Sequence, residues 1–330
     1  MDIDAYTRRR RQDWRRLEKL IRKRRLTGAD IDQLVSLYQS TSSDLATLSS
    51  NVTDPDVVAE VSQLVSRARG RISGARAPLR VSLGKFFFIT LPVALYRIGP
   101  LFLLTWVFAA VVALVAGVWA ATHPEYQAQM GSEDQLREYA QDTFKAYYTN
   151  YPAPDFAAQV WTNNARIAVI MVATFFTGFF PVYLLVVNFA QVGTAGALMY
   201  TYGDIGGFFG LITPHGILEL SCIVLACAVA LRLMWAFLVP GQLSRSESLS
   251  REGRIFVPVG VGLVLLLGIS GIEEGFLTPS QLLPWVKIPI AVLVMALIVA
   301  YVVFFARRAQ RLGLSADLDP DQAGYFITLR

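Results

Sequence analysis

The residues best placed to do chemistry lie in Thr213-Pro214-His215-Gly216-Ile217-Leu218-Glu219. This stretch separates two apolar runs, each of about 20 residues, the length that crosses a bilayer core. Pro214 and Gly216 predict a break between two helices there. His215 and Glu219 are four apart, so a helix opened by Gly216 carries both close to one face. A carboxylate in a membrane helix costs about 2.5–3.5 kcal/mol at mid-bilayer unless it has a partner, which makes this corner the site candidate. Asp204, Glu273, Glu274, Asn163, Asn164 and Asn188 are the other polar residues set within or beside apolar runs. His215 and Glu219 have a spacing that suits two metal ligands, with Asp204 or Glu273 as a third. With only two histidines in the chain and no His-Glu-x-x-His helix, they are weak metal candidates, and no cofactor is expected. The plainer expectation is that His215 hydrogen-bonds Glu219 or a backbone carbonyl and locks the corner. No Gly-x-Ser-x-Gly elbow and no Gly-Lys-Ser/Thr phosphate loop appears, so no catalytic residue is assigned.

Composition says what must hold these residues. The 330 residues are 54% hydrophobic, with a mean hydropathy of +0.44, above the soluble range, and several runs exceed the span threshold. The expected fold is all-α and polytopic, with six membrane helices near 100–121, 164–190, 192–212, 216–239, 255–272 and 283–306. An N-terminal helical domain over 1–76 precedes an interfacial amphipathic elbow over 77–99. Residues 307–330 form a tail. In the N-terminal domain, Trp14, Leu17, Leu20 and Ile21 make a narrow apolar stripe on a strongly basic helix; three amphipathic helices could pack as a small bundle, with the basic stripe suited either to solvent or to anionic lipid. Thr27 or Asp30 is expected to cap a second helix and Asp54 a third. Cys222 and Cys227, five apart in one apolar run, read as small buried residues rather than a disulfide. No cleavable signal peptide is expected.

Charge sets the predicted topology. Basic residues concentrate in 1–97, 245–254 and 307–311, whereas 122–160 is acidic and rich in tyrosine. Six crossings place all three basic regions inside and the acidic segment outside, with both termini cytoplasmic in a bacterial plasma membrane. The run 192–212 holds Gly203, Gly206, Gly207 and Gly210, spaced as small-xxx-small pairs for close helix packing, within one chain or across a homo-oligomer. It reads as a full span or as two half-helices around a cavity. The basic balance is a topology signal, and no nucleic-acid partner is expected.

The corner Pro214-His215-Gly216-Ile217-Leu218-Glu219-Leu220 resembles the signature of the stage II sporulation protein M family of bacterial integral membrane proteins. Asn163-Asn164 opening a span, Asn188 closing it and the acidic turn Ile272-Glu273-Glu274-Gly275-Phe276-Leu277-Thr278-Pro279 agree with that resemblance, as does the basic start with Trp14 and Leu17. Asn188 is followed by Phe189, where the family pattern has glycine. The resemblance implies a non-enzymatic membrane scaffold in an assembly that remodels peptidoglycan, with partner proteins supplying the hydrolase activity; it does not imply sporulation here. Two other readings stand beside it. Asp204, His215, Glu219 and Glu273 could converge on a wet cavity, as in a channel or transporter for a small solute or ion. Alternatively, the same corner could serve an intramembrane metalloenzyme. The Glu273-Glu274 pair resembles that of intramembrane prenyl-protein peptidases, whose further histidine and arginine motifs are missing.

Overall fold

The computed structural model describes residues 3–23, 26–50, 55–73, 83–150 and 152–314. Every regular element among them is helical. The described residues divide into two compact units, one within 3–73 and the other within 83–314.

The first unit is three helices, α1 (Ile3–Arg22), α2 (Gly28–Ser50) and α3 (Pro55–Ser73). The apolar stripe of the basic helix α1 is used internally: Trp14, Leu17 and Leu20 are buried against Leu34, Leu48, Val61, Leu64 and Ala68. Asp44 is buried beneath α1, where it accepts from the Tyr6 hydroxyl at 2.7 Å and Trp14 Nε1 at 2.9 Å and pairs with Arg10 Nε at 3.1 Å. Thr27 and Asp30 cap α2 reciprocally: Asp30 Oδ2 accepts from the Thr27 N–H at 2.7 Å, and Thr27 Oγ1 accepts from the Asp30 N–H at 3.3 Å. The cap expected at Asp54 lies outside the described residues.

In the second unit, α4 runs over Leu83–Thr122, followed by α5 (Pro124–Met130) and a helical segment α6 over 133–149. Then come α7 (Ala153–Ala173), α8 (Phe179–Tyr202), α9 (Ile205–Leu238), α10 (Arg245–Leu277) and α11 (Pro284–Arg311). Five of these, α4, α8, α9, α10 and α11, are long and apolar enough to cross a membrane. Helix α7 falls short by that measure but packs beside α9 and α10 all the same.

Helix α9 is the hub. Its residues Cys222 to Ala230 are buried without interruption, as expected of a helix apolar on every side. Both cysteines are free and buried there. The close approaches elsewhere rest on small residues. Gly193 on α8 faces the backbone of Ala113 and Gly117 on α4, where a Cβ would overlap the Ala113 carbonyl. Gly271 and Gly275 on α10 face Ala157 and Ala153 on α7; a Cβ on Gly275 would lie 2.7 Å from the Ala153 carbonyl oxygen and 2.8 Å from Ala157 Cβ. These pairs run in opposite order, so α7 and α10 are antiparallel, and Trp161 Nε1 donating to the Val264 carbonyl at 3.0 Å continues the register. At one end of the unit Glu252 joins Arg97 Nη2 at 2.7 Å and Arg232 Nη2 at 3.2 Å. At the other, the Tyr202 hydroxyl donates to Gln127 Oε1 at 2.7 Å and Gly203 lies against Ala140.

The helix limits differ from expectation in three places. Pro214-His215-Gly216 is not a break; it lies inside α9, ten residues from the start of that helix. The run 192–212 is accordingly not one span: its first half ends α8 and its second half begins α9. The actual turn is Gly203-Asp204, where Asp204 Oδ1 accepts from the Gly206 N–H at 2.9 Å. An aspartate at the N-cap is a stronger start signal than an internal Pro-Gly, which packed membrane helices tolerate. The expected span 164–190 is likewise divided, at a short 3₁₀ turn ending in Gly178, whose φ of 68° is left-handed. Residues 83–99, expected as part of a separate elbow, continue without interruption into α4.

Candidate functional site: a buried polar cluster between helices

Helix α9 presents His215 and Glu219 on one face, one turn apart, because the helix is unbroken from Ile205. Helix α10 ends in a π-helical turn, Glu273–Leu277, in which the Thr278 N–H bonds the Glu273 carbonyl at 2.9 Å. Such wide turns recur at functional sites because the extra residue re-aims its neighbours. Here the turn delivers Glu274 and Thr278 to the α9 face. His215 Nδ1 lies 2.9 Å from Thr278 Oγ1, and His215 Nε2 lies 3.8 Å from Glu274 Oε1. Ligand-capable atoms of His215, Glu219 and Glu274 all fall within 4.8 Å of one another. Helix α7 adds Asn164, whose Nδ2 donates to Glu219 Oε1 at 2.8 Å. From the first turns of α11, Lys287 Nζ donates to the Thr278 carbonyl at 2.6 Å. Four helices therefore meet in one polar chain.

The cluster is closed except at Glu219. Thr278 is 0% exposed, His215 and Glu274 4% each, and Asn164 7%; Glu219 is half-buried. The Ser270 hydroxyl donates to the His215 carbonyl at 3.3 Å. Tyr148 from α6 lies over the imidazole, with ring centroids 5.5 Å apart, inside an aromatic layer with Phe144, Phe156 and Phe208. Burial raises the Tyr148 phenol well above its ordinary range, with the Glu274 carboxylate adding to the effect.

Of the expected site residues, the structure brings together His215, Glu219, Glu274 and Asn164. Asn163, one residue earlier on α7, is exposed. Asn188 donates to the Leu184 carbonyl within α8 at 2.8 Å. Asp204 caps α9 and is exposed. Glu273 is buried, and neither of its carboxylate oxygens has a hydrogen-bond partner among the described residues; it stands outside the three-residue group. Of the expected packing glycines, Gly203 meets Ala140 and Gly210 meets Pro284, while Gly206 and Gly207 lie against the Asp204 cap. Thr278, Lys287 and Tyr148 were not legible as site residues. Lys287 was the most visible of them, a lone cation three residues into an apolar helix.

Comparison with known proteins bears on this arrangement. A family model described as Stage II sporulation protein M matches residues 101–279, more than half of the chain, and spans α4 through the π turn. The chain belongs to the stage II sporulation protein M family. The match takes in His215, Glu219, Glu274, Thr278 and Asn164, so the whole cluster except Lys287 lies in the stage II sporulation protein M region. A second model, a domain of unknown function (DUF8413), matches residues 4–74, the three-helix unit. No curated protein and no solved structure matches the chain.

Proposed function

We propose that the protein is a non-enzymatic component of a cell-envelope-remodelling assembly in the bacterial plasma membrane. It crosses six times, α7 being the sixth span, with both termini cytoplasmic. The observation that carries the reading is the closure of the cluster. Thr278, His215 and Glu274 stand in the order hydroxyl, imidazole, carboxylate, which is the order of a hydrolase triad. A nucleophile must meet its substrate, however, and Thr278 is fully buried. The same groups instead tie α7, α9, α10 and α11 together, the work of a rigid platform. Family membership supports the assembly role through what the resemblance implies of its namesake. The Arg97–Glu252–Arg232 end, opposite the acidic 122–160 segment, supports the orientation. The lipid-facing sides of α4 and α11, which bury little within the chain, offer room for partner helices or a second copy.

A channel or transporter is the second reading, favoured by the half-buried state of Glu219. The test is cross-linking in native membranes followed by affinity purification. Capture of envelope proteins, lost on disrupting the cluster, is expected. Solute or ion flux in proteoliposomes that Glu219→Gln abolishes would replace this reading with the second.

A further inference from the structure

We propose that His215, Glu219 and Glu274 bind a divalent cation of the zinc class, which clamps α9 to the π turn of α10. The inference is independent of the assembly role and goes beyond it.

Three observations carry it. The first is the donor set. One imidazole and two carboxylates are the mixed nitrogen–oxygen ligands that Zn²⁺ and neighbouring divalent metals accept. With all three atoms within 4.8 Å of one another, some point lies no more than about 2.8 Å from each. Contraction by less than an ångström brings that to the roughly 2.0–2.2 Å of Zn–N and Zn–O bonds.

The second is an unsatisfied acceptor beside a close pair of carboxyl groups. Glu274 is 4% exposed, and its Oε2 has no hydrogen-bond partner among the described residues. The ligand-capable oxygens of Glu219 and Glu274 lie within 4.8 Å of each other, and two ionised carboxylates at that spacing or closer repel by at least about 3 kcal/mol at an effective dielectric constant near 20. A divalent cation between the carboxylates converts the repulsion into attraction.

The third is the outer ring of bonds. Thr278 Oγ1 sits 2.9 Å from His215 Nδ1. The tautomer with its proton on Nδ1 donates to that hydroxyl and leaves the Nε2 lone pair facing Glu274. Asn164 Nδ2 donates to Glu219 Oε1 at 2.8 Å and orients the second carboxylate. Ligands held in this way are the usual second-layer support of metal sites. The sequence spacing offered Asp204 or Glu273 as the third ligand, whereas the π turn supplies Glu274.

The test uses the full-length protein in detergent, purified without chelator, then stripped and reloaded with ZnCl₂ or MnCl₂. Metal per chain is measured by elemental analysis, and melting temperature is followed in parallel. One zinc or manganese per chain is expected, with a melting temperature that falls on stripping and recovers on reloading. His215→Ala, Glu219→Gln and Glu274→Gln should each lose the metal, whereas Glu273→Gln should keep it. Thr278→Val should weaken affinity by about 10–100-fold while retaining the site. Wild-type protein that holds no metal and melts at the same temperature with and without added ZnCl₂ or MnCl₂ would overturn the proposal, and that measurement needs no variant to fold. Loss of metal in Glu273→Gln but not in Glu274→Gln would overturn the ligand assignment.

Discussion

Substituting Gly275 with alanine tests how the cluster is assembled. The added methyl would lie 2.7 Å from the Ala153 carbonyl oxygen and 2.8 Å from Ala157 Cβ. Ordinary contact needs about 3.5–4.0 Å, so α7 must retreat from α10 by roughly 1 Å. Overpacking of this kind costs about 1–3 kcal/mol. The retreat also carries Asn164 away from Glu219, stretching a 2.8 Å bond beyond hydrogen-bonding range. Loss of a bond to a charged group adds about 1.5–3 kcal/mol. The helix-propensity gain of alanine over glycine returns at most about 1 kcal/mol. The net expectation is a loss of about 1.5–5 kcal/mol. Gly260→Ala, at a position with nothing within 4 Å of the added methyl, is the control. Equilibrium unfolding in mixed micelles reads both. Equal stability of the Gly275 and Gly260 variants would refute the close α7–α10 seam and the packing argument behind it.

Other perturbations follow the same logic. Asp44→Ala strands the Tyr6, Trp14 and Arg10 donors beneath α1 and should destabilise the N-terminal unit by about 2–4 kcal/mol, with Asp44→Asn milder; unfolding monitored by Trp14 fluorescence in a background lacking the other tryptophans reads this. The Lys23 ammonium and the Thr27 backbone hold Asp30 at about 2, below the usual carboxylate range, so its contribution is present above pH 4 and fades as pH falls towards 2. The stability difference between wild type and Asp30→Asn should therefore shrink over that window; a difference constant from pH 6 to 2 would contradict the pairing. Glu252→Gln removes the acceptor between Arg97 and Arg232 and should cost about 1–3 kcal/mol, less in high salt because both arginines are partly exposed.

The helical class, the presence of several helices able to cross a membrane and the His215–Glu219 face are legible because each depends on local periodicity and hydropathy. The partners of that face were only partly legible. Glu274 and Asn164 reach Glu219 through tertiary packing, and the π turn that aims Glu274 has no sequence signature as distinct as Pro-His-Gly. The position of the turn differs for a physical reason: Pro214-Gly216 is a familiar interruption, yet Asp204 is the residue that caps. The close approaches are only partly marked by glycine density: of Gly203, Gly206, Gly207 and Gly210, Gly203 meets Ala140 and Gly210 meets Pro284, while other tight seams use Gly193 against Gly117, and Gly271 and Gly275 against Ala157 and Ala153. Only the pairing of helices decides which glycine stripe faces a neighbour.

The central claim is that a part-buried bond between α7 and α9 is part of what fixes the cluster. A double-mutant cycle on Asn164→Ala and Glu219→Gln measures it directly. Coupled residues give interaction energies of about 0.5–3 kcal/mol, and the cycle is expected to return about 1–2 kcal/mol. Stability losses that add to within about 0.3 kcal/mol would show that the two side chains do not meet, and the account of the site would fall with them.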